Sequence, residues 1–280
     1  MAFQHSQSPD NAKKVGHPRG IKPTVFWRIG EDIPSTLKWG LTVLSILLPV
    51  GLWWFLAFRE AKFIPWPGDV WTSLLDLSGQ GILQEDTLAS CFRVGCGFLL
   101  AAAFSVPMGI TMGTFASIRA LLEPIVGIVR YMPAPAFIPL LILYFDVGEP
   151  TKILLIFIGT LFFNVLMIMD AVKFVPKELI ETTYTLGGLR YQVLFQVIIP
   201  HVIPNILDAF RVNMAASWNL VVVAELVNAT EGLGKRIALA ERTLSTDRIF
   251  GYLIVLGLLG FAIDMFFQLL LRVFCRWALD

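Results

Sequence analysis

The chain has 280 residues, of which 56% are hydrophobic and only 15% are charged, and its net charge is +1. Soluble domains carry about 25% charged residues, so this sequence has too few charges to cover a water-facing surface. The composition excludes a soluble enzyme and a disordered protein, and its charge balance gives no sign of nucleic-acid binding. A membrane protein in contact with lipid is therefore expected.

Residues 1–38 are predicted to form a polar tail, because they are rich in proline, glycine and basic residues and lack the apolar region of a signal peptide. Residues 39–280 are predicted to form the transmembrane domain. Most of its apolar runs contain about 20 residues, enough to cross a ~30 Å hydrocarbon core. Six spans are predicted, in residues 39–58, 94–117, 124–145, 153–169, 205–224 and 249–271.

Glycines are frequent in the second span, where they are expected to let a neighbouring helix pack closely. They are Gly95, Gly97, Gly109 and Gly113. The third span is interrupted by Pro133, Pro135 and Pro139. Each proline removes a hydrogen-bond donor and clashes with the preceding turn. Broken backbone at membrane depth is tolerated where protein or a watery cavity covers it. This span is therefore predicted to line a pathway, although a kinked packing helix fits the same pattern.

Polar side chains in the fifth span extend this prediction, because such groups are costly in a membrane and usually face a bundle interior or a cavity. The candidate translocation path combines residues of both spans. They are Tyr131, Met132, Pro133, Pro135, Asn213, Trp218 and Asn219. Arg130 and Arg211 lie at the predicted ends of this path. They could guide an anion along it, or they could anchor helix ends at the lipid headgroups.

The distribution of Lys and Arg favours cytoplasmic N- and C-termini. This orientation places the loop of residues 173–204 in the cytoplasm. Residues 177–186 of the loop have helical apolar spacing after Pro176, and Gly187-Gly188 is a typical helix stop. A second amphipathic segment runs from Arg190 to Pro200. A short exposed amphipathic helix suits a groove on a partner protein, or it can lie on lipid headgroups.

The residues of this loop resemble a known motif. Glu181-Thr182-Thr183, Gly187 and Val197-Ile198-Ile199-Pro200 are similar in type and spacing to the EAA loop of bacterial ABC importer permeases, the binding-protein-dependent transport family. Thr182 and Thr183 stand where the motif has alanines. The resemblance extends over about residues 87–271. Ala224-Glu225-Leu226 and Gly232-Leu233-Gly234 look like the branch that imports nitrate, alkanesulfonates, taurine or bicarbonate.

The resemblance implies an all-α membrane protein with the type I ABC importer permease fold, located in the bacterial inner membrane. It also implies that the chain acts as a homodimer with two ATPase subunits and an extracytoplasmic solute-binding protein. The residues that would couple the chain to the ATPase are Glu181, Thr182, Thr183, Gly187 and Pro200. The implied substrate is a small oxyanion.

No phosphate-binding loop of the form G-x-x-x-x-G-K-[ST] occurs in the sequence. ATP and Mg²⁺ are therefore expected in the partner ATPase, and no catalytic residue, metal or cofactor is expected in this chain. Two alternatives are an ion-coupled secondary transporter and an intramembrane enzyme. The first is expected to show internal repeats and ionisable pairs at the midplane, and the second a buried catalytic pair. No such pattern is evident in the sequence.

Overall fold

The computed structural model describes residues 33–59, 63–227 and 229–278. Most of the predicted tail, residues 1–32, lies outside the described residues. The chain divides into two compact units, residues 1–55 and 56–280, which are described separately. The first unit contributes most of α1 (Ser35–Phe58), a 24-residue helix that begins four residues before the predicted span. Its length of about 36 Å is sufficient to cross a membrane.

The second unit is built from helices and connecting turns. Its helices are α2 (Pro67–Gly79), α3 (Ile82–Thr114), α4 (Ala116–Val129), α5 (Ile138–Phe145), α6 (Glu149–Lys173), α7 (Lys177–Thr185), α8 (Arg190–Gln192), α9 (Ile199–Leu226), α10 (Leu233–Arg242) and α11 (Thr246–Phe274). Across the described residues, five helices are long and apolar enough to cross a membrane, and α4 with α5 makes a sixth if the bent pair is one span. The predicted all-α class is confirmed, and the five or six candidate membrane helices agree with the predicted number of spans, although α3 begins earlier than the predicted second span.

Helices α3 and α6 form the most extensive helix pair of this unit. One face of α3 carries a small residue at every fourth position, which places these residues in one row along the helix. The row consists of Gly97, Ala101, Ser105, Gly109 and Gly113. A Cβ atom added to Gly97 or Gly109 would lie 2.7 Å from a Cβ atom of α6. The backbones therefore approach as closely as small-residue membrane interfaces allow. A Cβ atom added to Gly95, in contrast, would meet no atom of another helix within 4 Å.

The proline-rich third span is broken, as predicted. Helix α4 ends at Val129, a 3-10 turn forms over Ala134–Phe137, and α5 then leaves at 87° to α4. Pro133 sits before the turn with an extended backbone (φ −63°, ψ 122°), which a helix cannot continue through.

The segment after α7 differs from the prediction. The sequence predicts a surface segment ending at Pro200, but α8, a π-helical turn (Val193–Ile198) and α9 run on as one 37-residue helix, Arg190–Leu226. Pro200 lies at the start of α9, and Val193 and Ile198 are buried before it. A π-turn commonly accommodates an interruption of the α-helical hydrogen bonds, and prolines are tolerated in membrane helices when neighbours satisfy the freed groups. The connection outside the spanning helices therefore ends at Leu189 rather than at residue 204.

Candidate functional site

A cavity of about 290 Å³ lies where the break between α4 and α5 meets α6 and α9. The break contributes polar and backbone groups, whereas α6 and α9 contribute mainly apolar side chains. The lining includes Arg130, Tyr131, Met132 and Pro133 from the break, Gly159 and Phe162 from α6, and Asn219 and Leu220 from α9. Gly159 permits the contact between these segments, because a Cβ atom there would lie 2.9 Å from Cβ of Ala134.

The cavity lies near the middle of α6, away from both ends of this helix. At a rise of 1.5 Å per residue, Gly159 is about 15 Å along α6 from Glu149 and about 21 Å from Lys173. The whole helix spans about 37 Å, which matches a bilayer with its interfaces. The cavity is therefore at an intermediate depth along α6.

Four of the seven predicted path residues line this cavity. They are Tyr131, Met132, Pro133 and Asn219. Pro135 is exposed on the following 3-10 turn but does not line the cavity. The break in the third span and the polar residue near the end of α9 thus meet in space, as the sequence analysis expects.

Asn213 and Trp218 do not line this cavity, and their assignment to the path stays a prediction. The Asn213 side chain is buried and donates a hydrogen bond of 2.6 Å from Nδ2 to Oδ1 of Asn164 on α6. Trp218 is buried in the apolar packing around Ile156 and Tyr252. A polar residue in a membrane helix can be satisfied by a cavity or by a partner helix, and for Asn213 the partner is Asn164.

This difference gives a testable prediction for cysteines introduced separately at the two asparagines. In a chain without its natural cysteines, we expect Asn219→Cys to react with a water-soluble thiol reagent in membrane vesicles. We expect Asn213→Cys to react at least about tenfold more slowly, because its side chain lies within the α6–α9 contact. Equal labelling rates at the two positions would contradict the placement of Asn213.

The two arginines of the predicted path have different environments. Arg211 donates from Nε to Asp264 Oδ1 of α11 at 2.5 Å, and its Nη1 lies 3.4 Å from Asp208. It therefore connects two helices through an ion pair. Arg130 lines the cavity instead, and its Nη2 donates to the Tyr131 hydroxyl at 2.8 Å.

The predicted surface helix is confirmed as α7, which has no buried residue. Its C-terminus is closed by two hydrogen bonds, from Gly187 N–H to Tyr184 O (3.0 Å) and from Gly188 N–H to Thr183 O (2.9 Å). Gly187 has φ +83°. This is the Schellman arrangement, in which a left-handed residue satisfies the last carbonyls of a helix. A Cβ on Gly188 would lie 2.7 Å from Thr183 O, so both glycines are required by the turn.

One face of α7 is open and mixes acidic, hydroxyl and apolar groups. It carries Glu178, Glu181, Thr182, Thr185 and Leu186, the last of which is 83% exposed. Thr183 is half-buried on the other side of the helix. Pro200, which the sequence analysis groups with these residues, lies in the spanning helix that follows and is not part of this face.

A partly buried ionic network, which the sequence patterns above do not predict, lies at the ends of α6 and α9 that are remote from α7. Arg93 of α3 makes a two-bond contact with Glu149 (2.6 and 2.8 Å) and a third bond of 2.7 Å with Glu225. Lys152 binds Glu149 at 2.8 Å, and Arg236 binds Asp86 at 2.7 Å. Asp86 and Glu225 have no exposed surface. Buried charges are costly unless they are paired and hydrogen-bonded. In this network each of the three acids, Asp86, Glu149 and Glu225, is paired with at least one base.

The same side chains cap the N-terminus of α10. The first N–H groups of a helix have no partner within it. Gly232 N–H donates to Asp86 (2.8 Å), Leu233 N–H to Ser90 (3.0 Å) and Gly234 N–H to Glu225 (2.8 Å). Carboxylates are favoured at this position by the helix dipole. The Gly232-Leu233-Gly234 motif thus has a structural reason, because a Cβ on Gly232 would lie 2.5 Å from a Glu225 oxygen.

Among the described residues, five or six candidate spans, a cavity at a broken span and an exposed helix between two others are typical of a membrane transport subunit. The chain matches the family described as "Binding-protein-dependent transport system inner membrane component" over residues 105–278. It belongs to this family, and it is a multi-pass inner-membrane permease of the ABC transporter class.

Individual relatives support the branch that the sequence analysis expects. The taurine transport system permease protein TauC of Escherichia coli is 32% identical over 269 residues, covering 93% of this chain and 95% of that protein. A putative aliphatic sulfonates transport permease protein SsuC of Bacillus subtilis is 30% identical, covering 83% and 87%. The fold is similar to that of a solved chain of the MetNI methionine ABC transporter, with a TM-score of 0.62 and 17% identity over 70% of this chain and 97% of that one.

Proposed function

We propose that this chain is the permease subunit of an ATP-driven importer for a small oxyanion of the nitrate, alkanesulfonate or bicarbonate class. It works as a homodimer with two separate ATPase subunits, which bind ATP and Mg²⁺. A solute-binding protein delivers the substrate from outside. The observation that carries this proposal is α7, an exposed helix held between two spanning helices that both line the cavity.

The position of α7 explains how a partner could drive transport. Residues 174–176 connect α7 to α6, and residues 186–189 connect it to the helix Arg190–Leu226. Gly159 of α6 and Asn219 of α9 line the cavity. A movement of α7 therefore acts directly on two helices of the path, and ATP-driven closure of the ATPases would rock them between inward- and outward-open arrangements. The chain itself performs no covalent step.

The docking surface on α7 is defined by its open face. Glu178 and Glu181 offer charge to a basic groove, and Leu186 offers an apolar side chain that is 83% exposed. Helices that dock into grooves use this mixture of an apolar anchor and a polar rim. Glu181, Thr182 and Gly187 are the residues of the predicted coupling motif that contribute to this face or to its sharp end. On this proposal α7 and both termini are cytoplasmic, and the ionic network lies on the external side.

The exposed side of the cavity supports the proposed homodimer, because a second copy of the chain would cover it. Tyr131 is 75% exposed beside Arg130 at an intermediate depth. A charged group at that depth is costly in lipid. A second permease copy over this face would replace lipid by protein and water and would place two such cavities on one central path.

Coupling can be tested at the end of α7. We expect Gly187→Val to abolish the stimulation of ATP hydrolysis by the substrate-loaded binding protein, because valine is strained by about 1–2 kcal/mol or more in the left-handed conformation. Gly187→Asn is the matched control, since asparagine tolerates this conformation, and it should keep most of the stimulation. Combined with Glu181→Lys, the valine variant should lower ATP-dependent uptake at least tenfold while membrane insertion is retained. Undiminished uptake by the double variant would contradict the coupling role.

The substrate class is tested by uptake into vesicles that contain the complex with its binding protein. Labelled nitrate, bicarbonate, taurine, a cationic amino acid and a sugar are compared with and without ATP. Uptake of one or more of the oxyanions is expected, and only with ATP. Transport of the sugar or the cation alone would overturn the substrate class, and uptake without ATP would overturn the ATP-driven mechanism.

A further inference from the structure

Arg130 lines the cavity without a carboxylate partner, in contrast to three other cations of the bundle. Arg93 and Lys152 bind Glu149, and Arg211 binds Asp264. Across the described residues, Arg130 forms no salt bridge, and its side-chain hydrogen bond and its cation–π contact are both with its neighbour Tyr131. One uncompensated positive charge therefore lies on the cavity wall.

Tyr131 holds the guanidinium of Arg130 in place, but one of the guanidinium N–H groups has no hydrogen-bond acceptor among the described residues. Its Nη2 donates to the Tyr131 hydroxyl at 2.8 Å, and its Cζ lies 4.7 Å from the centre of the Tyr131 ring. Its Nε is buried and has no hydrogen-bond partner among the described residues. An unsatisfied buried donor is costly, and more so when it is charged, so this atom is available to an acceptor that the described residues do not supply.

The depth of the cavity makes this arrangement costly. Gly159, on the cavity wall, is about 15 Å from one end of α6 and about 21 Å from the other. Ionisable residues at such depths usually pair or mark a pathway for a charged solute. Arg211 is paired, because it binds Asp264. Arg130 has no such partner among the described residues, so it fits a residue that marks a pathway.

The geometry points to Arg130 as the charge-selecting residue of the path. Resting on the proposed function, we assign it the role of transient contact for the oxyanion of the substrate, with the Asn219 amide of α9 as a neutral second donor in the same cavity. A single guanidinium with one amide is a weak site, as a conduit requires, because a solute held by many donors would not leave. Arg130 can present two parallel N–H groups to a planar or tetrahedral oxyanion, which a lysine cannot.

The apolar residues of the cavity wall indicate a second feature of the solute, a short apolar tail. Met132, Phe162 and Leu220 give the cavity an apolar side beside Arg130 and Asn219. Its volume of about 290 Å³ is at the lower end of ligand pockets, which are about 300–1,000 Å³. The cavity therefore suits an oxyanion with a short apolar tail better than a bare inorganic ion.

The test measures the electrostatic field of Arg130 at position 219. Asn219→Cys is introduced into the full-length chain lacking Cys91, Cys96 and Cys275, and its labelling is followed in vesicles containing the partner subunits. The probes are anionic sulfonatoethyl methanethiosulfonate and cationic trimethylammonium-ethyl methanethiosulfonate. Charge focusing in a cleft changes local ion concentrations by about tenfold or more. We therefore expect Arg130→Gln to lower the ratio of anionic to cationic labelling rates about tenfold.

Two variants complete the design. Arg119→Gln removes a cation near the start of α4, about 16 Å away, and should leave the ratio unchanged. Arg130→Lys keeps the charge and should keep most of the ratio, while uptake of the anionic substrate falls because the two-bond contact is lost. High salt should lower the ratio in the chain that retains Arg130, which tests the field without altering this residue.

The outcomes separate this inference from the proposed function. If the labelling ratio is the same in the chain with Arg130 and in the Arg130→Gln variant, and does not respond to salt, the role of Arg130 is overturned. A ratio that falls as expected, in a complex that transports none of the tested oxyanions, would support the field of Arg130 and overturn the proposed substrate class instead. A structural role alone would change both labelling rates together and leave their ratio unaltered.

Discussion

Replacing Glu225 with alanine is expected to lower the free energy of unfolding by about 3–5 kcal/mol, the cost of removing one partner of a buried ion pair. Glu225 has no exposed surface and accepts hydrogen bonds from Ser90, Arg93 and Gly234. Without the carboxylate, the guanidinium of Arg93 loses one of its two acids, and the first turn of α10 loses a cap. Unfolding of the purified permease by sodium dodecyl sulfate in mixed micelles would measure the loss.

An exposed ion pair in the same chain is the matched control. Glu123 lies 3.5 Å from Lys173, and its side chain is 46% exposed. Exposed pairs contribute about 0–1 kcal/mol, so Glu123→Ala should have little effect. The loss of stability caused by Glu225→Gln should be intermediate between those of Glu225→Ala and Glu123→Ala. The glutamine amide oxygen can still accept a hydrogen bond from Gly234 N–H, whereas the charge is lost. A Glu225→Ala variant as stable as Glu123→Ala would show that the network does not hold α10 in place.

The parts of the fold that could be predicted from sequence depend on local rules. Apolar runs of about 20 residues predict the spans, and the prolines at 133 and 135 predict the break. Gly187-Gly188 predicts the end of α7, because a left-handed turn is favoured there by glycine. Helix α10 was not predicted, since it is short and charged, and its N-terminus is capped by side chains far away in the sequence, such as Asp86 at a separation of 146.

Two of the expectations concern residues whose environment depends on a distant partner. The sequence analysis assigns Asn213 to the path, but Asn164, 49 positions earlier, satisfies it. It also places the end of a segment at Pro200, but the membrane helix continues through this residue. In each case the local sequence is compatible with two structures, and the packing against a second helix determines which of them forms.

The ionic network had a local signal that the sequence analysis did not use. Asp86, Ser90 and Arg93 are spaced by four and three residues, so they form a polar row on one face at the start of α3. Such a row beside an apolar span predicts polar partners on a neighbouring element. Its partners could not be identified in this way, because Glu149 and Glu225 are 56 and 132 positions from Arg93.

A second large effect is expected at the contact between α3 and α6. Replacing both Gly109 and Gly113 with valine should lower the free energy of unfolding by about 2–6 kcal/mol, if overpacking costs about 1–3 kcal/mol at each position. A Cβ atom at Gly109 would lie 2.7 Å from Cβ of Ile168 and 2.9 Å from the carbonyl oxygen of Val165. Backbone cannot move aside as a flexible side chain can, so the two helices must separate. Separation would also move α6, which lines the cavity, and uptake should fall with stability.

The control is a pair of glycines on α11 that face open space. Gly257 and Gly260 have no atom within 4 Å of an added Cβ. The double variant Gly257→Val, Gly260→Val adds the same atoms to a membrane helix, and it should unfold at nearly the same concentration of sodium dodecyl sulfate as the unmodified chain. Because both double variants change hydrophobicity equally, any difference between them reports packing. Equal stability of the two would mean that α3 and α6 do not depend on the small residues between them.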